Sequence, residues 1–185
     1  TLLEAIPDPM LDTNGDHLGD VFADHFGITG MNPGADPDDD GYTNQEEELF
    51  YTDPLDPSAR PEMRITEQTR TGITVEWDGI AGVGYQVETS TNLEMWEPFG
   101  PQVMSAGTIV ATVPFEREKR FLRLRAIMVD TDNDHLSDAD ELLITGTNPN
   151  DADQDGDLLD DGFEVSQAHL DPAAPNDGFS DNDNN

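Results

Sequence analysis

Asp36-Pro-Asp38-Asp-Asp40-Gly-Tyr42-Thr-Asn44-Gln-Glu-Glu47 sets side-chain oxygens at the first, third, fifth, ninth and twelfth positions of one twelve-residue stretch. The same spacing returns in Asp12-Thr-Asn14-Gly-Asp16-His-Leu18-Gly-Asp20, in Asp130-Thr-Asp132-Asn-Asp134-His-Leu136-Ser-Asp138-Ala-Asp-Glu141 and in Asp153-Gln-Asp155-Gly-Asp157-Leu-Leu159-Asp-Asp161-Gly-Phe-Glu164. Carboxylates packed this closely repel one another unless a hard cation lies between them. A calcium loop takes oxygens from positions one, three and five, the backbone carbonyl of position seven, position nine directly or through water, and a two-oxygen Glu at position twelve. The expected ligands are therefore Asp12, Asn14, Asp16, Leu18 and Asp20 in the first loop, and Asp36, Asp38, Asp40, Tyr42, Asn44 and Glu47 in the second. In the third they are Asp130, Asp132, Asp134, Leu136, Asp138 and Glu141, and in the fourth Asp153, Asp155, Asp157, Leu159, Asp161 and Glu164. About four Ca²⁺ ions per chain are expected.

Composition agrees. There are 41 acidic residues against 8 basic ones, a formal net charge of −33. Four divalent cations would leave most of that charge in place, so the surface repels nucleic acid and anionic lipid headgroups. Acidity of this degree also occurs in disordered chains, but here many of the acids fall in register. No apolar run approaches membrane-spanning length, and no membrane insertion is expected of this segment. The chain has no cysteine, so metal rather than disulfides must stabilise its small units.

The loops come in pairs, starting at Asp12 and Asp36 and again at Asp130 and Asp153, and each leads into a short helical pattern. Those patterns are Asp20–Phe26 with Gly27 as a C-terminal cap, Gln45–Tyr51, Ala139–Ile144 with Gly146 after it, and Gly162–His169. Phe22, Phe26, Leu49, Phe50, Leu142, Leu143, Phe163 and Val165 are expected to form their apolar faces, which is little core for each pair. Residues 61–129 differ in character. The basic residues Arg60, Arg64, Arg70, Arg117, Lys119, Arg120, Arg123 and Arg125 lie in or beside this stretch. Alternation predicts strands at 63–69, 72–77, 85–90, 96–99, 108–113 and 121–127, with a hairpin turn at Thr71-Gly72. Trp77, Tyr85, Trp96, Phe121, Leu122 and Leu124 are its expected core and rim. The expected architecture is mixed: a small all-β sandwich at 61–129 flanked by paired calcium loop–short helix units at 1–60 and 130–185. The closing Asp181-Asn-Asp183-Asn-Asn185 reads as the first half of a fifth run, as in a segment of a longer repetitive chain.

The apolar residue of each loop separates related loop families. In ordinary EF-hands and dockerins it stands at position eight, whereas here it is at position seven: Leu18, Tyr42, Leu136 and Leu159. With the Asp-x-Asp-x-Asp core and the tails Thr52-Asp53-Pro54 and Thr147-Asn148-Pro149, these repeats resemble bacterial, cysteine-free thrombospondin type 3 repeats. The middle segment, through Trp77, Gly84-Tyr85-Gln-Val87 and Arg120-Phe-Leu-Arg-Leu-Arg125, resembles the fibronectin type III-like domains that accompany them. The resemblance implies a calcium-rigidified spacer and interaction segment of a larger secreted or cell-surface bacterial protein, with no enzymatic activity. A protein or carbohydrate ligand is expected for it. The rival is a recognition module, either dockerin-like or carbohydrate-binding through Trp96 and Tyr85.

Two departures carry expectations. The first loop has Ala23 at the closing position, with Asp24 one residue on as the substitute ligand. The sixth position favours Gly because the loop bends there at positive φ, yet only Gly41 satisfies it. His17 and His135 tolerate that conformation at modest cost and Leu158 poorly, unless the fourth loop bends earlier at Gly156.

Overall fold

The computed structural model describes residues 11–115, 121–175 and 177. The positions of Arg117, Lys119 and Arg120 and the closing acidic run at 181–185 lie outside the described residues. The described residues form two three-stranded antiparallel sheets with a few short helices. In chain order the elements are α1 (Asp20–Phe26), α2 (Asn44–Phe50), β1 (Arg64–Gln68), β2 (Gly72–Gly79), β3 (Gly84–Ser90), β4 (Glu97–Met104), β5 (Gly107–Pro114), β6 (Phe121–Ile127), α3 (Asp138–Asp140, running into a wider π turn at Glu141–Thr145) and α4 (Asp161–Val165).

One sheet has the order β1-β2-β5 and the other β4-β3-β6. Strand β2 pairs with β5 in unbroken register, from Gly72 opposite Pro114 to Gly79 opposite Gly107. Alternation along β2 buries Val75 and Trp77, and Trp77 meets Tyr85 of β3 with ring centroids 6.2 Å apart. Tyr85 spends its hydroxyl on the Ile80 amide at 2.9 Å, so its polar end is satisfied inside the core. Val87, Ile109, Val113 and Ala126 complete this apolar cluster. Each large side chain buried here contributes on the order of 1.5–3 kcal/mol.

The central strand β3 is buried along its whole length. Its outward face includes Glu88, which is tolerated because Arg123 donates to it at 2.6 Å and Arg125 lies at 3.6 Å. Strand β4 is longer than the alternation predicts, because Gly100 at φ +71 makes a bulge that carries the strand past Pro101 to Met104. Gln86 fills that bulge, donating to the carbonyls of Val87, Phe99 and Gly100.

The chain divides into two compact units, Thr1–Pro33 with Asp130–Asn185, and Gly34–Val129. The boundary expected at residue 60 is therefore displaced, and the first loop pair is split. Within one unit, the Leu11 amide donates to the His135 carbonyl at 3.0 Å, which joins the first repeat to the third. Within the other, the Tyr42 hydroxyl donates to the Pro61 carbonyl at 3.1 Å and Phe50 of α2 meets Tyr85 at 6.4 Å, which joins the second repeat to the sheets. The third and fourth loops keep the partnership their spacing suggests, whereas the first and second fall in different units.

The expected apolar helix faces are also corrected. Phe22 is buried, but Leu142, Leu143 and Phe163 are about half exposed. The inward positions of α3, its π turn and α4 hold Asp138, Asp140, Glu141, Asp161 and Glu164 instead. The third and fourth repeats thus bury mainly acidic side chains.

Candidate metal centres

Each acidic run folds into a loop in which its own carboxylates organise the backbone. The first-position carboxylate accepts from the sixth-position amide in all four: His17 to Asp12, Gly41 to Asp36, His135 to Asp130 and Leu158 to Asp153, at 3.0–3.3 Å. The fifth-position carboxylate accepts from the seventh-position amide, Leu18 to Asp16, Tyr42 to Asp40, Leu136 to Asp134 and Leu159 to Asp157, at 2.8–3.0 Å. These side-chain-to-backbone turns are what closely spaced Asp and Asn residues favour. In three loops a backbone bond then closes the ring, from Asp20 to Leu11, Asn44 to Ala35 and Asp161 to Ala152.

The sixth position is left-handed in every loop, with φ of +71 at His17, +101 at Gly41, +80 at His135 and +79 at Leu158. The fourth position is left-handed as well, at Gly15, Asp39, Asn133 and Gly156. The bend at Gly156 thus adds to the one at Leu158 and does not replace it. Leu158 is strained at the backbone, and its side chain is 83% exposed.

Inside the second, third and fourth loops, carboxylate oxygens converge. Asp36, Asp38 and Asp40 form one group, Asp130, Asp132 and Asp134 a second, and Asp153, Asp155 and Asp157 a third; within each, one oxygen per residue lies within 4.8 Å of the others. Such a group could hold a metal ion. The closing residues Glu47, Glu141 and Glu164 are fully buried. One oxygen of Glu47 accepts from the Thr52 hydroxyl and one of Glu141 from the Thr147 hydroxyl, and the second oxygen of each has no donor. Both oxygens of Glu164 lack one, as do Oδ2 of Asp38, Asp40, Asp155 and Asp157. Both oxygens of Asp132 are likewise without a hydrogen bond, although the nearby Asp151 amide eases its charge.

Buried carboxylates without donors are costly when ionised. Burial pushes Glu47 up to about 7, Glu141 to about 8 and Glu164 to about 7, and the acids of each loop add to the rise by repulsion. Burial likewise raises Asp134 to about 6, and Asp38, Asp132, Asp155 and Asp161 rise for the same first cause. Among the described residues these groups offer hard oxygen donors only, of the kind that could hold a metal ion.

The first loop is different. Ala23 is fully buried beside Phe22 in an apolar cluster with Leu18 and Ile28, and Asp24 points into solvent. Asp24 is thus not brought to the loop as the substitute ligand. Asp12 and Asp16 each accept backbone amides at both oxygens, as Asp130 and Asp134 do in the third loop, so what sets the first loop apart is Ala23 at the closing position. Ninth-position residues also hold their own loops together. Asp20 accepts from the amide and hydroxyl of Thr13, and Asp138 from those of Thr131, so each holds the second residue of its own loop.

Two groupings went unforeseen. Asp177, beyond the fourth loop, joins Asp157 and Glu164 with oxygens within 4.8 Å, while its other oxygen accepts from the Asp171 amide. Asp161 joins Asp134 and Glu141 of the third loop. An acidic tail was the only signal for Asp177, and spacing alone assigned Asp161 to its own loop. Of the aromatic pair weighed for sugar binding, Tyr85 is buried in the core and Trp96 carries the Arg123 guanidinium 4.5 Å above its ring. No family model matches the chain, and neither a curated protein nor a solved structure matches it.

Proposed function

We propose that this chain is a calcium-binding structural segment, a spacer and interaction module of a larger secreted or cell-surface bacterial protein, in which bound Ca²⁺ rigidifies the loops. One observation carries the reading: Glu47, Glu141 and Glu164 are fully buried at the closing position of their loops, each with at least one oxygen that no protein donor reaches. Calcium favours six to eight oxygens in flexible geometry, whereas magnesium demands a compact octahedron. The left-handed sixth position and the seventh-position residue held by the fifth carboxylate support a loop of the EF-hand-like, thrombospondin type 3-like kind. The two three-stranded sheets support the fibronectin type III-like resemblance of the middle segment. The role proposed is structural rather than catalytic. Cation binding would favour the folded chain over the unfolded one, by about 2.7 kcal/mol for a site at a hundredfold its dissociation constant.

Calorimetric titration of the whole chain with Ca²⁺, with Mg²⁺ as control, tests the proposal. About four ions are expected, with the first loop weakest, and Mg²⁺ should compete poorly. Fewer than two calcium ions per chain, or equal affinity for magnesium, would overturn it.

A further inference from the structure

We infer that Asp161, the first residue of α4 in the fourth repeat, is a ligand of the third repeat's cation, so that this centre is built jointly by two repeats. The inference rests on the calcium reading and sharpens it.

Asp161 is fully buried, and its two oxygens have different fates. Oδ1 accepts from the Gln154 amide at 2.9 Å, which anchors the side chain in its own loop. Oδ2 is buried and has no donor. The carboxylate lies with those of Asp134 and Glu141, the fifth and twelfth positions of the third loop, with one oxygen of each within 4.8 Å of the others. All three residues are fully buried, and Glu141 also carries an oxygen without a donor. Three buried carboxylates converge here, two of them with an unsatisfied oxygen, and a cation among them would offset their mutual repulsion.

The approach is held in place by the backbone. The Gly162 amide donates to Asp134 Oδ2 at 3.1 Å, and a β-carbon at Gly162 would collide with the Asp134 carbonyl. Only glycine lets the start of α4 come this close.

The second residue of the third and fourth loops distinguishes Asp138 from Asp161. In the third loop Thr131 supplies two donors, its amide to Asp138 Oδ1 and its hydroxyl to Oδ2, both at 2.8 Å. In the fourth loop that residue is Gln154, and only its amide donates. The missing hydroxyl leaves Asp161 Oδ2 for the neighbouring repeat. A cation in the third loop would then lock α4 against that loop, and the third site would weaken if the fourth repeat were displaced.

The test is Asp161→Asn in the full chain. Asparagine keeps an acceptor for the Gln154 amide and removes the charge. Amide resonances of Asn133 and His135 report the third loop, and those of Gly156 and Leu158 the fourth, during titration with chelator-buffered Ca²⁺. Affinity at the third loop should fall by about tenfold, with less than about a threefold change at the fourth, since affinity follows ligand charge count. Weakening confined to the fourth loop, or at neither loop, would overturn the assignment. If Asp161→Asn does not fold, Gln154→Thr supplies a hydroxyl in the manner of Thr131 and keeps every charge. It should weaken the third loop by a few-fold, and an unchanged third-loop midpoint would overturn the assignment. No calcium-dependent shift at either loop of the unmodified chain would overturn the calcium reading itself, whereas normal titration with an inert Asp161 would overturn this inference alone.

Discussion

The two sheets and the third and fourth repeats bury opposite chemistries. Around β2 and β3 the buried side chains are Val75, Trp77, Tyr85 and Val87, and the buried acid there, Glu88, faces two arginines. In the third and fourth repeats the buried side chains include Asp134, Asp161, Glu141 and Glu164, while Leu142, Leu143 and Phe163 stand half in solvent. Apolar burial is favourable whatever the solvent contains. Burial of unpaired carboxylates is favourable only when protons or cations accompany them. On the proposed function, one chain holds a region whose stability is built in and a region whose stability depends on the ion.

Chelation should separate the two regions most sharply. With Ca²⁺ removed, hydrogen-exchange protection should persist in β2, β3, β5 and β6 and fall by several kcal/mol in α3 and α4, given about 2.7 kcal/mol for each site at a hundredfold its dissociation constant. Equal loss in the sheets would show that their apolar core is not self-sufficient. The second repeat, tied to Pro61 and Tyr85, should lose less protection than the third and fourth.

A comparison within the loops comes next in size. The first and third loops share a template, Asp-Thr-x-x-Asp-His-Leu-x-Asp, and diverge at the closing position, where both Ala23 and Glu141 are fully buried. Glu47→Gln, Glu141→Gln and Glu164→Gln should each weaken their own loop by more than about tenfold, or about 1.4 kcal/mol. The first loop should already be weak, and Asp24→Asn should leave it unchanged in site-resolved titration because Asp24 is exposed. A first loop that fills before the second would break the comparison.

The pH response should be opposite with and without the ion. Without it, Glu47, Glu141 and Glu164 have folded-state values of about 7, 8 and 7, above the ordinary 4.5. A raised value means that the folded state holds its proton more tightly, so stability is fully present below about 4.5 and is lost as pH rises through 7 to 8. The melting temperature of the chelated chain should therefore fall between pH 5 and pH 8. In saturating Ca²⁺ it should not, since the ion replaces the protons and binds more tightly as they leave. Thermal melts across that range check both arms, and a chelated chain that grows more stable with pH would contradict the burial of these acids.

The smallest expected effect is at Leu158, left-handed at φ +79 and 83% exposed. Leu158→Gly should stabilise the fourth repeat by about 1 kcal/mol, because strain is relieved and almost no packing is lost. Chemical denaturation in Ca²⁺ reads the change; destabilisation would mean that the leucine has a contact partner.

Local chemistry made much of this molecule legible in advance. Alternation of apolar and polar residues placed six strands, because a strand's period of two is a property of consecutive residues. The loops follow from Asp and Asn at fixed offsets, whose carboxylates reach the amides two to five positions on without help from elsewhere. The need for left-handed backbone at position six was readable for the same reason. The separation of the first repeat from the second was not: it depends on long-range contacts such as Leu11 with His135 and Tyr42 with Pro61, to which no local pattern points. Acidic and apolar residues compete for the same inward face of these short helices, and the structure buries Glu141 while leaving Leu142 and Leu143 half exposed. Asp20, Asp138 and Asp161 share one loop position and one residue type. Their different partners were settled in space, where a threonine hydroxyl occupies Asp138 and its absence leaves Asp161 facing the next repeat.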